Sequence, residues 1–429
     1  MDWKRVFPVA IVLALAGCGG GGGDSGTNPT NHAPEVAFTF APLATEKGIP
    51  VNLTISATDA DNDPLTITWK ITRGTLAAQN SKKTIMRWTT PATTGVDTVN
   101  VSVSDGTVTR KLTEEIHVAT AYAAGNFIKA SSPYILTRSP VDPRLQIGAG
   151  ETLTIAPGTE IYINTPGTVF DVLGTLDAHG TAGEHIVIRQ NDRTFTCGGN
   201  NVGVWAGIRG SGATAVIDLE YVEVWYAQYG IRVKDESVAN LQNVKVRCSG
   251  VAGLLMEGSR YTRAIDSQFT DSAGDGIDIV TLVTLPDSVR IERCTLSFNN
   301  GTGIRMDIND AAKTTPIIIT SNDIEFNETH GISLAHAVFP QMRLNNFSGN
   351  GDSGISNLFL QAGYPSVAFP ELDATCNFWG AAVHQSTVDA GIWDSLDQST
   401  IHTRVKSCPW LKSNPLTTTP DCSMSCPAP

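Results

Sequence analysis

The sequence predicts an all-β chain in which a small antiparallel β-sandwich precedes a long parallel β-solenoid. Three observations carry this. Eleven-residue blocks recur along the second half, each with Gly at its tenth position and an aliphatic residue at its eleventh. Short stretches between residues 51 and 103 alternate apolar and polar positions and are rich in β-branched residues. Charged residues make up only 17% of the 429, so surface polarity must come from Asn, Ser and Thr, as in exported β-rich proteins. The hydrophobic share of 41% is enough to bury a large core. A net charge of −12 excludes a nucleic-acid binder, which needs a Lys/Arg face to displace counterions along phosphates.

The chain opens with Lys4 and Arg5, then an apolar run from Val6 to Ala16 that is too short to span a bilayer and is broken by Pro8. The run ends in Leu15-Ala16-Gly17-Cys18, which resembles the bacterial lipobox. That resemblance implies that residues 1–18 are a lipoprotein signal peptide with lipobox and that Cys18 becomes the lipidated first residue. Gly19 in place of Asp after the cysteine implies the outer membrane, so the expected partner on this side is a membrane, met through a lipid anchor. Residues 19–32 are a Gly-rich tether. The anchored protein would face the periplasm or the cell surface.

From 33 to 118 come the segments Val51–Ile55, Leu65–Trp69 and Val99–Val103, with turn residues such as Ser104-Asp105-Gly106 between strands. This stretch resembles the immunoglobulin-like and cadherin-like modules of bacterial surface proteins. Asp59, Asp61 and Asp63 stand at alternate positions, a spacing that a Ca²⁺ ion accepts; the Gly and distal Glu of an EF-hand loop are missing, and an acidic turn before Pro64 accounts for the same residues.

The solenoid is expected over 121–382. Its blocks start at Tyr221, Val244, Ser267, Cys294, Asn322 and Asn345, with a truncated one at Cys376, at intervals from 23 (Tyr221 to Val244) to 31 (Asn345 to Cys376). Short strands at that period bury their apolar face only by stacking coil on coil. The blocks, with Leu145–Gly150, Thr152–Thr159 and Val172–Ala178 before them, resemble the right-handed parallel β-helix of pectate-lyase-like proteins. Third positions (Val246, Phe269, Leu296, Ile324, Phe347, Phe378) and eleventh positions (Ile231, Leu254, Ile277, Ile304, Ile332, Ile355) are expected to point inward. Asn299, Asn327 and Asn350 at sixth positions should form an amide ladder along the axis. Residues 383–429 form a C-terminal cap and a Cys/Pro-rich tail. Of the seven cysteines other than Cys18, Cys408, Cys422 and Cys426 could staple that tail, while Cys248, Cys294 and Cys376 read as small buried residues.

Outward positions on consecutive coils gather Asp275, Asp278, Arg305, Asp307 and His330. Asp278, Arg305 and Asp307 are the candidate catalytic groups, and Asp275, His330 and Arg305 the candidate substrate-binding ones. Such a patch can bind a glycan, hold Ca²⁺, or pair its charges in solvent. Since exposed ion pairs stabilise little, Arg305 is expected to be dispensable for folding. Asp275-Gly276-Ile277-Asp278 and His330-Gly331-Ile332-Ser333 resemble polygalacturonase motifs, but the coil between them reads Gly301-Thr302-Gly303 and lacks that family's paired Asp. A β-elimination would need Arg305 as a base, against its ordinary protonation. Trp205, Trp225, Tyr226 and Tyr229 suit either sugar stacking or an end cap, and the histidines form no ligand pair. The expected function is noncatalytic binding of a polysaccharide or surface glycan, or adhesion; the alternative is a lyase or glycoside hydrolase acting on an acidic glycan.

Overall fold

A computed structural model describes residues 31–192, 197, 204–282, 289–308, 317–335, 340–351, 353–357 and 372–380, with isolated positions beyond. Residues 1–30, which hold Cys18, the expected signal peptide and most of the expected tether, and most of 383–429 lie outside the described residues. Among those described, the regular structure is strand apart from a single 3-10 turn at Lys129–Ser131.

Eight strands build the first region: β1 (Glu35–Phe40), β2 (Ala44–Glu46), β3 (Pro50–Thr58), β4 (Thr66–Ile71), β5 (Thr75–Ala78), β6 (Ile85–Thr89), β7 (Gly95–Ser104) and β8 (Thr109–Ala121). One sheet runs β1-β3-β6-β5, and the second runs β4-β7-β8 with β2 parallel to β8. Alternation along β3 and β7 sends Leu53, Ile55, Val99, Val101 and Val103 inward against Trp88, Ile67 and Ile116. Burial of Asp97 is tolerated because Arg73 forks onto it through Nε at 2.9 Å and Nη2 at 2.8 Å.

No linker separates the two regions. β8 runs across the boundary and pairs in parallel with β9 (Tyr134–Leu136), Thr120 opposite Tyr134 and Ala121 opposite Ile135. A twelve-stranded sheet therefore passes from the sandwich into the solenoid without a break. Ala44, Ala119, Ile135 and Tyr162 pack at the junction, and the amide of Asn191 closes it. Its Oδ1 accepts the Ala44 N–H at 2.8 Å while its Nδ2 donates to the Ala44 carbonyl at 3.0 Å.

Each coil visits three sheets in turn, as in Arg144–Ile147, Thr152–Ile155 and Glu160–Ile163, and the next coil adds a strand in parallel to each. The sheets contain ten, eight and twelve strands. The eleventh-position column pairs in register from Ile231 through Leu254, Ile277, Ile304 and Ile332 to Ile355, and all six are buried. Each such side chain contributes about 1.5–3 kcal/mol by burial. The tenth position must be Gly because the coils approach there backbone to backbone. A Cβ on Gly276 would meet the Gly303 carbonyl at 2.7 Å, and one on Gly303 would meet the Gly331 carbonyl at 2.6 Å.

The sixth-position ladder is present. Asn299 Nδ2 donates to Asn327 Oδ1 at 2.8 Å, and Asn327 Nδ2 to Asn350 Oδ1 at 3.0 Å. A second ladder, not read from the sequence, links Asn322 to Asn345 (2.9 Å) and Asn345 to Asn377 (3.0 Å). That second ladder corrects the register of the last block. Asn377 aligns with Asn345 and Phe378 bridges Asn346, so Trp379 rather than Phe378 faces Phe347, at 5.1 Å between rings. Two cysteines read as simply buried are in fact cross-linked: Cys197 pairs with Cys248 and Cys376 with Cys422. Coil stacking and the C-terminal return bring together residues 51 and 46 apart, a proximity that local spacing does not reveal. Cys408 is disulfide-bonded as well, and Cys294 is a buried free thiol pushed up to about 12 by its burial.

Candidate functional site

The ten-stranded sheet places the predicted patch. Asp275 and Asp278 lie on the strand Asp275–Leu282, Arg305 on the strand Ile304–Met306, and Asp278 stands directly opposite Arg305 in the parallel register. The guanidinium reaches three carboxylates: Asp278 Oδ2 from Nη2 at 2.8 Å, Asp275 Oδ2 from Nε at 3.2 Å, and Asp307 Oδ2 from Nη1 at 3.5 Å. His330 lies two coils on from Asp275, where its carbonyl accepts the Gly303 N–H at 2.9 Å.

Three carboxylates converge on this one guanidinium. Asp275 Oδ1 also accepts the Thr302 N–H at 2.7 Å, whereas Asp278 Oδ1 is buried with no donor among the described residues. Burial pushes the Asp275 carboxyl up, against the opposing pull of Thr302 and Arg305. Burial likewise pushes Asp278 up, with Arg305 opposing and the neighbouring Asp275 and Asp307 adding to the rise. Partial burial works against the charge of Arg305, but Asp278, Asp275 and Asp307 outweigh it and raise its pKa. An Arg so held does not accept a proton.

The expectation that Arg305 is dispensable for folding does not fit this geometry. Asp278 is only 7% exposed, because its outward column sits beside the buried Leu255. The exposed-pair rule does not apply to a carboxylate taken out of water.

The predicted acidic loop closes as a turn. Asp59 Oδ1 accepts the N–H groups of Asp61 (2.9 Å) and Asp63 (3.3 Å), and Asp61 takes the His32 ring and N–H. The candidate ligand atoms of Asp59, Asp61 and Asp63 still lie within 4.8 Å of one another.

The four aromatics do not form one surface. Trp205 is core, while Trp225 and Tyr226 flank Arg189, Trp225 also meets Arg247, and Tyr229 lies under Arg232.

Sequence reasoning missed His179. Stacking of two coils sets its Nε2 3.4 Å from Asp177 and 3.5 Å from Asp218, and its Nδ1 3.6 Å from Glu220, on the outer face of the eight-stranded sheet. His179, Asp218 and Glu220, with Asn240, Gln242 and Arg263, line an open groove of 280 Å³. The signal was the pairing register, Asp177 opposite Asp218 and His179 opposite Glu220.

Residues 31–114 match the model of a bacterial Ig domain, and residues 206–363 match that of a right-handed β-helix region. The chain carries an Ig-like domain followed by a right-handed parallel β-helix. A search of curated proteins finds no match. A solved structure from Saccharophagus degradans, titled a nucleoside hydrolase-related hypothetical protein associated with carbohydrate metabolism, is 18% identical, with a TM-score of 0.18. The overlap spans 20% of this chain and 25% of that one, and carries no argument about the β-helix.

Proposed function

We propose that the chain is an exported envelope protein, anchored to the outer membrane through a lipid on Cys18, that displays its β-helix to bind polysaccharide without turning it over. Paired Ig-like and β-helix domains suit a carbohydrate-associated surface protein. The cross-links Cys197–Cys248 and Cys376–Cys422 suit an oxidising compartment. Side chains with hydroxyl, amide and carboxylate groups stand in outward rows one coil apart, an extended surface suited to a repeating polymer.

The noncatalytic half of this reading rests on Arg305. Held protonated by three carboxylates, it supplies no base for a β-elimination, and its own coil offers Thr302 where a polygalacturonase pattern has Asp. A hydrolase is the second reading, favoured by the burial-raised carboxyls of Asp275 and Asp278, either of which could hold a proton for a leaving group.

Calcium belongs to the proposal at Asp59, Asp61 and Asp63. Asp59 Oδ2 is buried without a donor among the described residues, which suits a cation, although Asp61 is already engaged by His32. The deciding experiment combines a glycan array with an assay for new reducing or unsaturated ends on the bound polymers. Binding without new ends is expected. Unsaturated ends would identify a lyase, and reducing ends lost in Asp278→Asn would identify a hydrolase.

A further inference from the structure

At one corner of the coils from Val244 onward, the fifth block position turns the chain through left-handed backbone. Cys248, Asp271, Phe298 and Phe326 occupy it on successive coils with φ between 56° and 59° for the first two and 58° and 55° for the phenylalanines, and Gly349 follows at 72°. A bulky apolar residue is a poor choice for that conformation, which favours Gly, Asn and Asp. Neither phenylalanine is compensated by burial: Phe298 is 59% and Phe326 48% exposed. Strain and exposed apolar surface at the same residues point to a role outside folding.

The rings lie offset and nearly parallel, with centroids 5.6 Å apart and planes at 12°. The Cδ1–Cε1 edge of Phe326 covers Gly349, where a Cβ would meet those atoms at 2.7 and 2.6 Å. The result is an apolar strip reaching over three coils. Beside it, on the adjoining outward face, the amide of the buried Asn346 bridges two carboxylates, donating to Asp323 Oδ1 at 2.6 Å and Glu325 Oε2 at 2.9 Å. Ser348 also donates to Glu325 Oε2, at 3.2 Å. Asp323 Oδ2 and Glu325 Oε1 have no donor among the described residues, and neither is a sealed buried atom. No cation pairs with either carboxylate among the described residues.

We propose that the strip Phe298–Phe326–Gly349, with Asp323 and Glu325 beside it, binds a neutral glycan, a pyranose ring resting on the phenyl rings and its hydroxyls donating to the carboxylates. The inference deepens the polysaccharide-binding reading and rests on it. Two rings are far too little apolar surface for a stable protein partner, which needs about 800 Å² on each side. They are the right extent for a sugar, whose C–H face is apolar and whose rim is hydroxyl. Free carboxylate oxygens take hydroxyl donors and repel a uronate. The site therefore selects against the acidic glycans that the Arg305 patch first suggested.

The test is calorimetric titration of the detergent-solubilised full chain with cellohexaose, xylohexaose and mannohexaose, and separately with polygalacturonate. The wild type is expected to bind at least one neutral hexasaccharide more tightly than polygalacturonate. Phe298→Ala and Phe326→Ala should each weaken that binding roughly tenfold, Phe326→Tyr should retain it, and unfolding midpoints should stay near wild type because the rings are exposed. Asp323→Asn with Glu325→Gln should weaken it several-fold and narrow the discrimination against polygalacturonate. Unchanged neutral binding in the Phe298→Ala/Phe326→Ala double variant overturns this site and leaves the polysaccharide reading standing. Binding of polygalacturonate alone overturns the inference but not the reading. A wild type that binds none of the four overturns both.

Discussion

Thr120 and Tyr134 pair in parallel across the junction of the two regions, and with them the sandwich and the β-helix become one sheet. The Thr120 N–H donates to the Pro133 carbonyl at 2.7 Å, so the link is a main-chain bond independent of any linker length. A binding surface carried on the solenoid is thereby held at a fixed orientation to the Ig-like domain.

That join predicts shared unfolding. Scanning calorimetry of the full chain should give one transition that includes the Ig-like domain. Thr120→Pro removes the donor and leaves the Pro133 carbonyl unpaired, at a cost of about 1–3 kcal/mol, and should split off a lower-melting transition. Two separate transitions in the wild type would contradict the coupling.

The amide ladders make a second prediction. Asn327 gives its Nδ2 to Asn350 and to the Leu296 carbonyl, and its Oδ1 receives the side chain and backbone N–H of Asn299. Asn327→Ala should cost about 1–3 kcal/mol in urea unfolding, and Asn327→Leu should be no better, because the groups left behind are polar and buried. A wild-type midpoint in either variant contradicts the ladder.

What the sequence disclosed follows the length scale of each signal. Gly at the tenth and aliphatic residues at the eleventh position mark each regular block from Tyr221 to Asn345, so the solenoid, its inward columns and the Asn299–Asn327–Asn350 ladder were legible. The last block misled because Cys376-Asn377-Phe378 fits the pattern with Phe378 in third place. The Asn345–Asn377 bond and the Asn346–Phe378 bridge show that the register slips by one and that Trp379 meets Phe347. The Arg305 cluster was legible from register, but its burial was not, since a column that points outward is ordinarily wet. Phe298 and Phe326 went unread because their pairing matters only once the fifth position is known to be an exposed left-handed corner. His179 and its carboxylates come from coils that precede the regular blocks, where no repeat gave a register.

The anchor prediction rests on Cys18 and its flanks. Mass spectrometry of membrane-extracted protein should show a mature chain that begins at acylated Cys18, and Cys18→Ala should release the protein from the membrane fraction. A mature chain that retains Met1 contradicts it.

The last prediction concerns Arg305 and is set by the burial of Asp278. Removing the guanidinium leaves Asp278, whose Oδ1 already lacks a donor, and the half-buried Asp275 without a counter-charge. Arg305→Ala should therefore destabilise the β-helix by about 1–3 kcal/mol at neutral pH, far more than an exposed ion pair would. The sign of its pH dependence follows from Asp278. Because its folded-state pKa is raised, the native protein holds that proton more tightly than the unfolded chain does. The resulting stabilisation is full at acid pH and is lost as pH rises through the folded pKa. Without Arg305 the carboxyl loses its opposing cation and climbs further, so the penalty of Arg305→Ala should shrink toward pH 4 and grow toward pH 7. Asp278→Asn supplies the neutral form permanently. In the Arg305→Ala background it should recover most of the lost stability at pH 7 and little at pH 4, as unfolding midpoints at the two pH values will show. Equal penalties at both, or no recovery in the double variant, would place the effect of Arg305 in packing rather than in the charge it balances.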